Sequence, residues 1–244
     1  MNRFYVPFHA GLKNLWIDSS ESHHIIHVKR LKIGDSIIVF NGTGDEFEAE
    51  IEDIEDNRVN VRINQQRTIS KENIVEIDIA FAIPKGKRSH LLIQKCTELG
   101  VHKLIPINYA RSVVKLKNDC SVKIEKWQKI AIEASKQCGR NTITEIGEVV
   151  NFDNILKTVD NYDLPLFACS QSNANNLKNT LQEHQKPNNN NIISFIGPEG
   201  GFTTNEIEMA TKAGCKFVSL GNRILRVETA AIAISAILSY HYST

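Results

Sequence analysis

The residues best placed to do chemistry sit in two glycine-bearing loops near the carboxyl end of the chain. The first loop is Gly197-Pro198-Glu199-Gly200-Gly201, a single carboxylate among residues that let a backbone approach a ligand closely or take positive φ. The second runs Leu220, Gly221, Asn222, Arg223, Ile224, Leu225, Arg226 and on into Val227, Glu228, Thr229 and Ala230, adding cations and a second carboxylate. No G-x-x-x-x-G-K followed by Ser or Thr is present, so this is not a P-loop. The spacing of G-P-E-G-G is also wrong for a dinucleotide fingerprint, and Glu199 stands where a pyrophosphate would need backbone donors. A carboxylate there suits a neutral or cationic ligand. S-adenosyl-L-methionine, with its sulfonium and amino groups, is one such ligand; these residues permit it without forcing it.

The elements that must position these loops are legible in the flanks. Each loop follows a short apolar run, 191–196 and 216–220, and precedes a helix-like segment, 203–213 and 227–242. Strand, loop, helix, repeated, is the pattern of a parallel sheet with crossover helices. Ligands bind outside the carboxyl ends of such strands, where both loops would lie. Thr203 with Glu206 reads as a capping box, and Gly214 stands where a glycine ends a helix. One glycine loop between strand and helix can be a mere tight turn; two at consecutive strand ends favour a binding site.

Further back, residues 74–83 read as a central strand buried on both faces, and 104–107 and 164–169 as further strands. Amphipathic helices are expected over 89–99, closed by Gly100, and over 123–137. Residues 36–40 read as a strand, and 46–51 and 58–63 alternate as half-buried strands, with turns at Asn41-Gly42-Thr43-Gly44 and Asp56-Asn57. A short helix is expected between Ser20 and Leu31, with Ile25, Ile26 and Val28 partly buried. The polar stretch 64–74 marks a boundary, giving a small barrel over 1–70 and an α/β domain over 74–244.

These motifs together resemble the RsmE family of bacterial 16S ribosomal RNA uridine-N3 methyltransferases, of the SPOUT class. The resemblance rests on 197–202 paired with 220–230, and extends to Gln94-Lys95-Cys96-Thr97-Glu98-Leu99-Gly100-Val101, Arg111-Ser112 and 133–140. It implies a small N-terminal PUA-like β-barrel that binds RNA, then a SPOUT α/β domain with a parallel sheet and a C-terminal trefoil knot. It also implies bound S-adenosyl-L-methionine, a homodimer, and 16S ribosomal RNA of the small ribosomal subunit as partner. The cofactor residues so implied are Gly197, Pro198, Glu199, Gly200, Gly201, Leu220, Gly221, Ile224, Leu225, Arg226, Glu228, Thr229 and Ala230. Arg226 and Glu199 are the expected catalytic pair. Glu228 reads equally as an acid favoured by a helix dipole. The family's His-x-x-x-Val-Leu-Arg stretch becomes His24-Ile25-Ile26-His27-Val28-Lys29-Arg30-Leu31 here, which shifts the arginine.

Charge points to the same substrate class through its placement. The net charge is +1, but 85–140 holds thirteen Lys and Arg against four acids. Residues 1–70 hold eight against eleven, most acids lying between Glu46 and Asp56 on what reads as a solvated hairpin face. Arg3, Lys29, Arg30, Lys85, Lys87, Arg88, Arg111 and Arg140 are the expected RNA contacts. His23, His24 and His27 stand near Lys29 and Arg30 without a fourth ligand, so no metal site is expected. The last helix, apolar on most sides, is either core or a dimer interface, and the interface is the favoured reading. Cysteines 96, 120, 138, 169 and 215 are odd in number and form no C-x-x-C, which fits reduced cytoplasmic thiols. No apolar run could span a bilayer, and residues 1–7 lack the apolar core of a leader. A tRNA methyltransferase of the same class, a non-catalytic RNA-binding protein, and a doubly wound enzyme binding NAD or ATP stay open as alternatives.

Overall fold

Residues 2–9, 11–68, 71–116, 120–170, 174–184 and 191–242 are described by a computed structural model. Its chain divides into two packed units, Met1–Glu72 with Ser135–Ile143, and Asn73–Ala134 with Thr144–Thr244. The segment 135–143, read from sequence as part of the larger domain, thus groups with the N-terminal residues.

In the first unit β1 (Arg3–Tyr5), β2 (Asn14–Ile17), β3 (Ser36–Phe40), β4 (Asp45–Glu55) and β5 (Arg58–Thr68) form one sheet in the order β1-β3-β4-β5-β2. β1 runs parallel to β3 and the other pairings are antiparallel. Phe47, Ala49 and Ile51 alternate inward against Ile37, Val39 and Val59, as the half-buried pattern requires. The hairpin turns at Asp56 and Asn57, both at positive φ (46° and 62°), the backbone a type I′ turn demands. β4 and β5 outrun the apolar alternation because polar residues also pair across them. Arg62 meets Glu52 at 2.6 Å and Glu50 at 3.2 Å, and Arg67 meets Glu48 at 2.7 Å. Glu46 departs from the solvated face expected of it: it is buried and accepts from Arg3 at 2.6 Å.

The helix expected over 20–31 is shorter and mixed. α1 (Ser19–His23) is capped by Asp18, whose side chain accepts from the Ser20 and Glu21 N–H groups. A π-helical turn, His24–Val28, follows, and Arg30 at φ 55° ends it. Ile25 is buried, but Val28 is 59% exposed and not part of the core.

The second unit contains β6 (Glu76–Ala82), α2 (Arg88–Glu98), β7 (Lys103–Asn108), β8 (Glu145–Ile146), β9 (Val150–Asn151), α4 (Phe152–Leu156), β10 (Leu164–Ala168), β11 (Asn175–Asn176), α5 (Leu177–Glu183), β12 (Asn191–Ile196), α6 (Thr204–Lys212), β13 (Lys216–Ser219) and α7 (Val227–His241). The helix α3 (Ser121–Cys138) precedes β8 and buries Trp127 and Ala131. The sheet order is β11-β13-β10-β12-β6-β7-β8, with β9 also on β7, and its pairings are all parallel. The central β6 is buried from Ile77 to Ala82, which accounts for its continuous apolar run. α7 packs on α2 and β6, burying Ala231, Ile234 and Leu238, while Ile237 (41%) and Tyr240 (85%) face outward. Among the described residues no helix is long and apolar enough to cross a membrane.

Candidate active site

The carboxyl ends of three adjacent parallel strands, β12, β10 and β13, open onto a cleft of about 400 Å³. Such a volume suits a small ligand or cofactor. Its wall includes Gly197, Pro198, Glu199, Gly200 and Gly201 after β12, and Leu220, Gly221, Ile224, Leu225 and Ala230 after β13. The loop after β12 leads into α6 through the expected capping box: Thr203 Oγ1 accepts from the Glu206 N–H at 3.2 Å, and Glu206 Oε2 accepts from the Thr203 N–H at 2.7 Å. Glu206 Oε1 also accepts from the Ala110 N–H at 2.8 Å, tying this loop to the turn after β7.

The glycines have separate reasons. A Cβ at Gly197 would lie 2.5 Å from the Phe202 ring, so this glycine admits an aromatic side chain from its own loop. Phe202 stacks on Phe167 (centroids 4.0 Å apart) and meets Tyr109 edge-on at 5.3 Å. A Cβ at Gly200 would lie 3.3 Å from Arg111 Cβ. Gly201 and Gly221 hold φ of 69° and 112°, where side chains are strained.

Three arginines take distinct positions. Arg111 Nη1 donates to the carbonyls of Gly200 and Phe202, each at 3.1 Å, clamping the loop from outside. Arg88, at the start of α2, places Nη1 3.5 Å from Glu199 Oε1 and 4.0 Å from Glu228 Oε1. The sequence does not hint at this bridge, since Arg88 lies more than a hundred residues upstream of both acids. Arg226 is the N-cap residue of α7, with an exposed side chain between the cleft residues Leu225 and Val227. Glu228 is buried and Thr229 exposed; neither is on the cleft wall.

The expected RNA contacts separate into two groups. Lys29, Arg30, Lys85 and Lys87 are exposed. Arg3 and Arg140 are instead turned into their unit: Arg3 bonds Glu46 and Asn141 at 2.6 Å each, and Arg140 Nε bonds Glu72 at 3.0 Å. Their side chains are 12% and 6% exposed, which leaves little surface for a phosphate. His24 packs edge-on against Phe4 at 5.9 Å, and the His23 and His27 rings, at i, i+4 spacing, meet tilted at 4.7 Å. Among the described residues no group of three or more metal-ligating side chains gathers.

A second concavity lies at the amino ends of β6, β7 and β12. There Asp78, buried, accepts from Tyr162 OH at 2.7 Å through Oδ2 and meets His102 Nδ1 at 3.0 Å through Oδ1. The Asp78 bond raises the His102 pKa above its ordinary value against the opposing effect of burial. Burial, then the Asp78 charge, pushes the Tyr162 phenol well up.

Comparison with known proteins gives the family. The RNA methyltransferase domain family matches residues 71–239, and the RNA methyltransferase PUA domain matches 17–64. The ribosomal RNA small subunit methyltransferase E of Bacillus subtilis (strain 168) is 34% identical over 227 residues, covering 92% of this chain and 89% of that protein. Its counterpart in Rickettsia conorii is 35% identical over 241 residues, covering 96% and 93%. The chain belongs to the ribosomal RNA small subunit methyltransferase E family. The crystal structure of the Neisseria gonorrhoeae methyltransferase E bound to S-adenosyl methionine superposes with a TM-score of 0.89 at 29% identity, covering 99% of this chain and 98% of that one.

For a methyltransferase E chain, the cleft also contains residues that sequence reasoning passed over. Ala168, Cys169 and Ser170 bring in the end of β10, whose following loop is polar here where the family often has an acid. Gln171 and Ser172, which follow in that loop, lie outside the described residues, as do 185–190. Phe202, Ile207, Arg223 and Val227 line the cleft as well. Phe202 and Val227 lie inside the motif pair 197–202 and 220–230, and their apolar type beside a glycine loop was the available signal.

Proposed function

We propose that this protein transfers the methyl group of S-adenosyl-L-methionine to N3 of a specific uridine in 16S ribosomal RNA of the small ribosomal subunit. The observation that carries the reading is the cleft itself, built where the two motif loops meet at parallel strand ends, with one carboxylate, Glu199, on its wall. The residues present fit the cofactor. Glycines at positive φ let backbone groups of 197–201 and 220–225 lie close to it. The apolar side chains of Leu220, Ile224, Leu225 and Ala230 offer a face for a base, and Glu199 offers charge to a cation. When bound, the cofactor supplies a methyl group on a sulfonium.

The protein's own part is to orient, to shield and to move a proton. The uracil imide is a poor nucleophile until N3 loses its proton, so a positioned base must take it. Glu199 and Glu228 are the two carboxylates beside the loops. Arg226, exposed at the head of α7, stabilises the developing imide anion or grips the target phosphate. The base leaves its stack to enter the cleft. Lys29 and Arg30 in the first unit and Lys85 and Lys87 in the second supply RNA contacts.

The finer features of the family belong to this proposal: a closed PUA-like barrel over residues 1–70, a trefoil-knotted SPOUT domain over 74–244, a homodimer through α7 and cytoplasmic residence. Support for the dimer comes from Ile237 and Tyr240, large apolar side chains exposed on α7. Titration with S-adenosyl-L-methionine, followed by nucleoside chromatography of treated small-subunit RNA, tests the reading. Saturable binding and new 3-methyluridine are expected. Binding without 3-methyluridine would move the substrate elsewhere, and absence of both would leave an RNA-binding module.

A further inference from the structure

One guanidinium serves two carboxylates beside the cleft. Arg88 Nη1 lies 3.5 Å from Glu199 Oε1 and 4.0 Å from Glu228 Oε1, and its Nε donates to the Lys85 carbonyl at 3.3 Å, which holds it in place. Among the described residues no other cation stands within ion-pair distance of either acid. The two acids differ in what else supports them. The Glu199 side chain is on the cleft wall and 37% exposed, so water also solvates it. Glu228 is off the wall and 5% exposed, and its Oε2 is inaccessible with no hydrogen-bond partner. A buried carboxylate cannot draw on water, so Glu228 depends on Arg88 and on the amino end of the helix that carries it. Counted formally, two carboxylates and one guanidinium leave one negative charge, and of the three groups Glu199 alone is on the wall.

We infer that Glu228 acts through Arg88 as a positioning residue for charge: by engaging the guanidinium it leaves the charge of Glu199 to the cleft, and that charge favours the sulfonium cofactor over its thioether product. This rests on the methyl-transfer reading above. S-adenosyl-L-methionine and S-adenosyl-L-homocysteine carry the same amino and carboxylate groups. They differ by the methyl group and the positive charge on sulfur. When the methyl carbon is transferred, the carbon–sulfur electron pair stays on sulfur and that charge is gone. A wall with one net negative charge holds the form that still carries a methyl group and releases the form that has lost it. A neutral wall would not separate the two by charge. Neither Glu228 nor Arg88 needs to touch the ligand, because a charge acts beyond contact distance.

The test measures affinity for both molecules by calorimetry, with thermal midpoints alongside, in wild type, Glu199→Gln, Glu228→Gln, and Glu228→Gln combined with Arg88→Met. Wild type is expected to prefer S-adenosyl-L-methionine by about 3- to 10-fold, the reach of one partly screened charge pair. Glu199→Gln and Glu228→Gln should each bring that ratio to within about twofold of unity, the second by leaving Arg88 wholly to Glu199. The double variant again leaves one uncompensated carboxylate, so it should recover the wild-type ratio to within about twofold. A merely structural defect would lower both affinities together and would not be mended by removing a second side chain. Arg223, a cation on the wall, is exposed and present in all four proteins, so comparison between them isolates the three groups. Should Glu228→Gln fail to fold, Glu228→Met removes the same charge with an apolar side chain of similar length and is read in the same way. A wild-type ratio in Glu228→Gln overturns the inference, as does a double variant that stays near unity, or a wild type that binds both molecules alike. A wild type that binds neither overturns the underlying reading instead.

Discussion

At the level of single residues, two arginines are expected to respond in opposite ways to removal. Arg111 reads from sequence as an RNA contact, yet its guanidinium holds the Gly200 and Phe202 carbonyls of the cleft loop. Arg111→Ala should weaken S-adenosyl-L-methionine binding by about 5- to 30-fold, given ~1–2 kcal/mol for the loss of two partly exposed charge-assisted bonds. Calorimetry checks it; unchanged cofactor affinity with weakened RNA affinity would return Arg111 to the RNA surface. Arg226 makes the opposite prediction. Its side chain is exposed at the cleft edge, so Arg226→Ala should leave cofactor affinity within about threefold while lowering transfer by about 10²- to 10³-fold. Wild-type transfer by that variant would remove it from the catalytic pair.

At the level of elements, the parts that position the loops were legible wherever the signal was local. Thr203 and Glu206 announced the start of α6, Gly214 its end, and the apolar density of 74–83 a central strand, and each has its counterpart in the structure. β1, β2, β8, β9 and β11 were not legible, because two to four residues are too few for a period to show. The Arg88–Glu199–Glu228 cluster and the Arg111 clamp were invisible for another reason: both join residues far apart in sequence, and a single sequence carries no record of that contact. The same limit hid one reason for Gly197, the Phe202 ring that a Cβ there would meet. Gly197→Ala should therefore act first on the fold, costing about 1–3 kcal/mol by displacing Phe202 from Phe167 and Tyr109. Urea unfolding checks this; a wild-type midpoint with weakened cofactor binding would instead make Gly197 a ligand-contact residue.

At the level of the whole molecule, stability and chemistry sit at opposite ends of one parallel sheet. The glycine loops occupy its carboxyl end, and the Asp78–His102–Tyr162 group its amino end. Because folding raises the His102 pKa, this contact stabilises the fold fully below the unfolded value of about 6.5 and loses that contribution as pH rises through the elevated folded value. His102→Gln should remove this downward step from a plot of unfolding free energy against pH, leaving cofactor affinity unchanged. A step of the same size in the variant would place its origin elsewhere. On the proposed function, the cofactor binds at the carboxyl ends of the strands and RNA meets the exposed basic residues. The most direct measurement is transfer of label from S-adenosyl-L-methionine to small ribosomal subunits lacking the modification, with naked 16S RNA and bulk tRNA in parallel. Label at N3 of one uridine in the subunit RNA, and none in tRNA, is the predicted result. Label in tRNA alone, or in no RNA while the cofactor still binds, would contradict it.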